Sequence, residues 1–147
     1  MSYGILLTVH LFAALIFIGT VFFEVLILES VRKQVPAEVM GQMERAIGRR
    51  ARSLMPWVLL ALFGAGLGML WLRYLPALSA PLASSFNTLL SLKIILAVSV
   101  LGHFFGAMWL FRSGRMNGRY LRIIHLSLFA HMLGIVVLAK GMFYLSW

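Results

Sequence analysis

The chain has 147 residues, 62% of them hydrophobic and 12% charged, and its mean hydropathy is +0.97. Thirteen Lys and Arg stand against four Glu, a formal charge of +9, and there is no Cys. A soluble domain is about a quarter charged, so these figures exclude a water-soluble globule, a disordered tail and a disulfide-stapled secreted domain.

The first element is an apolar run at about 4–28. It has no basic leader and no small-residue cleavage pattern, so it reads as a span and not as a cleaved signal peptide. Three further runs follow at about 54–72, 89–111 and 123–145, each close to the roughly 20 residues that cross a bilayer as a helix. Their length and continuity favour helices over barrel strands. The expected fold is all-α: a single domain, 1–147, forming a four-transmembrane-helix bundle. Segment 36–53 carries Val39, Met40, Met43 and Ile47 at helical spacing among arginines. It reads as a cytoplasmic amphipathic helix on the membrane surface or as an extension of span two. Pro56 suits a helix start. The outer loop, about 73–88, contains Pro76 and Pro81 and is expected to be irregular.

Charge sets the orientation. Arg32, Lys33, Arg45, Arg49, Arg50 and Arg52 precede span two, and Arg112, Arg115, Arg119 and Arg122 join spans three and four. By the positive-inside rule these ten cations are cytoplasmic and both termini lie on the outer, periplasmic side. The basic charge then serves topology and lipid headgroups, not nucleic acid. Small residues Ala61, Gly64, Ala65 and Gly68 are expected to bring span two close to a neighbour. Gly102, Gly106 and Gly134 pack in the same way or leave room for a flat cofactor. Trp57, Trp71, Trp109, Tyr144 and Trp147 fit an interfacial aromatic belt.

Polar groups inside the spans need a reason, because burying each costs a few kcal/mol unless it pairs or snorkels. At 1.5 Å per residue, His10, Lys93 and Lys140 lie roughly 6–9 Å inside the outer ends of their spans. His103 and His131 lie roughly 12 Å from the inner ends of spans three and four, at matched depth. Glu24 lies near the inner end of span one and shares a face with His10, while His125 sits at the inner interface. His131 and Lys140 fall about 180° apart on span four, so they cannot face the same neighbour. Lys140 reads as a snorkelling anchor or as a lateral contact, and Glu24 as one half of a buried pair or as a proton-relay acid. Histidines on facing helices suit haem iron, with basic side chains for its propionates. Zinc more often takes Cys or carboxylate, and copper(I) takes Cys or Met. The nine Met show no regular spacing along one helix.

The early His10 followed by Leu11-Phe12-Ala13-Ala14-Leu15-Ile16-Phe17-Ile18-Gly19 resembles the first span of two related groups, the HemJ-type protoporphyrinogen oxidases and the CopD-like copper-resistance membrane proteins. The likeness continues through Met43-Glu44-Arg45, Met55-Pro56, Leu92-Lys93-Ile94-Ile95 before His103, and Val136-Val137-Leu138-Ala139-Lys140. The resemblance implies a small four-span protein of the bacterial-type inner membrane that binds haem b, with His10 and Lys93 as functional residues. Phe17-Ile18-Gly19 stands where the HemJ type has Trp, and Val21-Phe22-Phe23-Glu24 replaces a Leu-Pro-Arg-like stretch. Both departures bring the chain nearer the CopD-like end.

The expectation is therefore a haem-b redox protein, porphyrinogen-oxidase-like if it is an enzyme. His10, His103 and His131 are candidate metal ligands, and Lys93 orients a propionate or an anionic substrate. Electrons would pass to a quinone or a respiratory partner, and a homo-oligomer is a further partner. The alternatives are copper transport or resistance and a cofactor-free accessory subunit.

Overall fold

The structure, a computed structural model, describes residues 2–146, so Trp147 of the expected aromatic belt lies outside the described residues. All regular structure among them is helical. Helix α1 (Tyr3–Phe22) widens into a π-helical stretch, Phe23–Leu28, and ends in the single turn α2 (Glu29–Val31). Helix α3 (Ala37–Met69) is followed by a second π-helical stretch, Leu70–Tyr74, and a 3₁₀ turn, Leu75–Ser79. Helices α4 (Ser85–Arg112) and α5 (Gly118–Tyr144) complete the chain. Four of these helical segments, Tyr3–Val31, Ala37–Ser79, Ser85–Arg112 and Gly118–Tyr144, are long and apolar enough to cross a membrane.

Each segment outruns the apolar stretch that reveals it. Hydropathy marks where a helix meets hydrocarbon, whereas the hydrogen-bond ladder continues wherever the residues tolerate it. The clearest case is α3, whose 33 residues run about 50 Å at 1.5 Å per residue. It joins the basic segment 36–53 and span two into one rod, so the extension holds and the separate surface helix does not. Pro56 consequently lies inside the helix and not at its start. There it withholds one backbone N–H from the turn before it.

The chain divides into two compact units, Met1–Tyr74 and Leu75–Trp147. In the first, α1 packs along α3 around Ala13, Phe17, Val21, Val58, Leu59 and Ala65. Gly68 admits Leu6, whose Cδ1 lies 3.0 Å from where a Cβ would stand, while a Cβ on Gly64 would meet nothing within 4 Å. Of the two glycines among the expected small residues, therefore, only Gly68 makes a close contact, while Ala65 is buried in the core. At the far end of this unit Arg32 ties the α2 turn to α3. Its Nε donates to Glu44 Oε1 at 2.8 Å, its Nη2 lies 2.6 Å from the same oxygen, and its Nη1 pairs with Glu29. Burial works against the Arg32 charge, but the carboxylates of Glu44, Glu29 and Glu24 outweigh it and raise the guanidinium pKa overall.

In the second unit α4 packs along α5 around Leu89, Leu90, Val100, Leu128, Met132 and Met142. Both helices are capped from their own sequence: Ser84 Oγ accepts from Asn87 N–H, and Asn117 Oδ1 accepts from Tyr120 N–H. Gly114, at φ +66°, makes the tight turn between them. Gly134 lets Leu96 approach to 3.0 Å of its missing Cβ, whereas Gly102 and Gly106 face open space. Large apolar side chains such as Leu15, Leu60, Ile95 and Val137 stay exposed. That pattern suits lipid as the surrounding solvent.

Candidate functional site

Each unit holds its own constellation of intramembrane polar groups. In the first, Tyr3, His10, Phe17 and Glu24 recur every seven residues, each step falling about 20° short of two full turns, so they share one face of α1. His10 is half-buried, and its Nδ1 lies 2.9 Å from the Leu62 carbonyl oxygen on α3. A carbonyl only accepts, so Nδ1 carries the proton in the neutral ring and Nε2 carries the lone pair. Gly66 makes this approach feasible. It stands one turn beyond Leu62, and a Cβ there would come within 3.2 Å of His10 Cε1 and 3.3 Å of Nδ1. The imidazole occupies the space that a side chain would fill. An apolar groove of about 390 Å³, lined by Val9, Phe12, Ala13, Ile16, Trp57 and Ala61 among others, runs along the adjoining flank of α1.

The end of the same seam nearest the N-terminus carries Tyr3, Arg73 and Tyr74. The two phenol oxygens are 2.9 Å apart in a hydrogen bond, and the Arg73 guanidinium lies 5.3 Å from the centre of the Tyr3 ring. Glu24, at the other end, sits half-buried within the π-helical stretch, a local widening often found at functional sites.

The second unit brings His103 of α4 and His131 of α5 together, with ring centres 5.0 Å apart at an interplanar angle of 62°. Each ring bonds back to its own helix: His103 Nδ1 to Ser99 O and His131 Nδ1 to Ser127 O, both at 2.7 Å. Each ring also reaches across: His103 Nε2 to Ser127 Oγ and His131 Nε2 to Ser99 Oγ, both at 2.9 Å. The carbonyls require Nδ1–H in both neutral rings, so the serine hydroxyls donate to both Nε2 lone pairs. The arrangement is reciprocal. Its signature in the chain is Ser-x-x-x-His occurring twice, Ser99 to His103 and Ser127 to His131. The serines carry no charge and are unremarkable in a span, so hydropathy and depth pass over them. Their spacing, one helical turn before each histidine, is the signal that finds them.

Two imidazoles that hold one haem iron face it from opposite sides, at roughly 2 Å each as is usual for metal–imidazole bonds. Rings in edge contact, with both Nε2 atoms accepting from serine, leave no place for a macrocycle between them. His103 and His131 therefore do not fit as a pair of axial ligands. Among the described residues no group of three or more His or Glu side chains is placed to hold a metal ion. His10 shares one feature with ligating imidazoles, an Nδ1 held by the Leu62 carbonyl. An Nδ1–H held by a backbone carbonyl is the usual support for an imidazole that ligates through Nε2.

Lys93 is half-buried on α4 and makes no hydrogen bond or ion pair among the described residues. Lys140 is exposed, turned away from the α4 contact that His131 makes, which accords with their opposite faces on α5. His125 is half-buried two residues before Ser127. Comparison with protein-family models, curated proteins and solved structures gives no match for this chain.

Proposed function

We propose that this multi-pass membrane protein is a haem-b redox protein of the inner membrane, in which His10 would hold the iron through Nε2. The observation that carries this reading is the hydrogen bond from His10 Nδ1 to Leu62 O over Gly66. It sets the tautomer, fixes the ring plane and turns a nitrogen lone pair away from the α3 carbonyl. The likeness of the first span to HemJ-type and CopD-like proteins points to the same histidine. The basic stretch at the start of α3 and the arginines around Gly114 face the cytoplasm in this reading, with both termini outside.

When bound, the haem supplies one-electron transfer at iron. The chain itself binds and orients the group through His10, and its apolar helices keep water away from it. Lys93, assigned by the resemblance, serves an anionic substrate or a propionate. The electron partner is a quinone or a respiratory protein. His103 and His131 act instead as the polar clamp of the second helix pair.

Spectroscopy of the purified chain tests this. A Soret band that shifts on reduction is expected, and His10→Ala abolishes it while His103→Ala and His131→Ala retain it. A colourless protein after haem supplementation overturns the proposal. Copper bound at stoichiometric level in that colourless protein establishes the copper-handling alternative.

A further inference from the structure

The groove on the flank of α1 is apolar along both walls. Its one polar side chain, Thr8, donates its hydroxyl to Gly4 O. The α3 wall is Trp57, Val58 and Ala61, and the α1 wall reaches Ile16. Trp57 is 70% exposed, so the groove opens to the bilayer. The two helices run antiparallel, with Tyr3 beside Tyr74, Leu6 beside Gly68 and His10 beside Leu62. Seven residues past Ile16 on α1 stands Phe23, and seven residues before Trp57 on α3 stands Arg50, both exposed. Each step spans about 10 Å and falls about 20° short of two full turns. Phe23 and Arg50 therefore continue the two walls at one level, and the groove runs down to a cation.

The neighbouring arginines are turned elsewhere. Arg45 and Arg52 lie back along α3, each with Nη1 3.3 Å from where a Cβ on Gly41 or Gly48 would stand. Arg49 is about 100° round the helix from Arg50. The Arg50 guanidinium itself makes no ion pair or hydrogen bond among the described residues. From Arg45 to Arg52 the chain has four arginines and no acid. An apolar trough that ends at an unneutralised guanidinium matches an amphiphile with a hydrocarbon tail and a phosphate head. A zwitterionic head would bring its own cation into this arginine-rich stretch, whereas an anionic head brings none. We propose that the groove and Arg50 form a site for one anionic glycerophospholipid, with an acyl chain between Trp57 and Phe12 and the phosphate at Arg50. The site is separate from the reading of His10 and stands or falls without it.

Trp57 reports on its own groove. The full chain is placed in phosphatidylcholine nanodiscs that contain brominated phosphatidylglycerol or brominated phosphatidylcholine at equal mole fraction. Brominated acyl chains quench a tryptophan that they touch, and subtracting the emission of Trp57→Phe isolates Trp57 from the other three tryptophans. One basic residue near the headgroups corresponds to a preference of about fivefold for the anionic lipid. Arg50→Gln, at an exposed position that leaves the packing intact, brings the two lipids to within about twofold. Arg49→Gln, off the groove's face, retains the preference. Ala61→Phe fills the groove and lowers the quenching of Trp57 by both lipids. Equal quenching by the two lipids in the wild type overturns the proposal, as does a preference that survives Arg50→Gln. Equal losses in Arg49→Gln and Arg50→Gln overturn it as well, since the effect is then one of general surface charge. Absence of Trp57 quenching by either lipid also overturns it, because protein and not lipid then covers the groove.

Discussion

The two helix pairs solve one problem in opposite ways. Each carries histidine where a bilayer would surround it. In α1–α3 a single imidazole is held by a main-chain carbonyl and admitted by a glycine. In α4–α5 two imidazoles are held by two serines in a closed exchange of hydrogen bonds. The charges differ too. The first unit has all four glutamates and seven cations, and the second has six cations and no acid. A neutral, reciprocal network therefore suits the second pair, because no carboxylate within it balances a charged ring. The comparison teaches that a membrane histidine is defined less by its depth than by what meets its second nitrogen.

The strongest way to break the contrast is to close the space beside His10. Gly66→Leu is expected to displace the imidazole and to abolish the Soret signal as fully as His10→Ala. Gly64→Leu, at a position with nothing within 4 Å of its Cβ, retains it. Absorption spectra of the two variants decide; equal spectra would show that the Gly66 contact is not what seats the ring.

The second pair is probed by double-mutant cycles. Ser99→Ala with His131→Ala, and Ser127→Ala with His103→Ala, should each give a coupling of about 0.6 kcal/mol, with about 1.7 as the upper end for interhelical hydrogen bonds. Unfolding in mixed micelles measures it. The reciprocal geometry predicts similar values for both cycles, and a coupling near zero in either removes that bond from the clamp.

Glycine sharpens the picture at smaller scale. Gly102→Ala meets nothing and gains helix propensity, for a stabilisation of up to about 0.8–1 kcal/mol. Gly134→Ala presses on Leu96 and is expected to lose that gain or reverse it, as thermal melts of the two variants would register. The smallest effect falls on the Arg32 latch. Arg32 is 39% and Glu44 35% exposed, so Glu44→Gln should cost no more than about 1 kcal/mol, and less as salt rises. A loss that does not respond to salt would mean that Glu44 acts through packing.

Composition and hydropathy were sufficient for the helical class and the four span-length segments, because a chain this apolar has to satisfy its backbone within each helix. The positions of His10, Glu24, Lys93, His103, His131 and Lys140 were also legible, since polar groups stand out in apolar runs. Equal depth was enough to suggest that His103 and His131 meet. It was not enough to give them a role, because depth says nothing about which atoms a ring nitrogen faces.

Tertiary structure alone decided those partners. Only the packing of α4 on α5 turns both Nε2 atoms onto serines, and only the approach of α1 to α3 gives Gly66 its purpose while Gly64 has none. The ends of the helices were likewise beyond hydropathy, as α3 runs through Pro56 and joins the basic segment to the span. The physical reason is range. Partition into lipid is a sum over neighbouring residues and can be read along a chain. A hydrogen bond between Ser99 and His131 depends on a few tenths of an ångström between residues 32 positions apart.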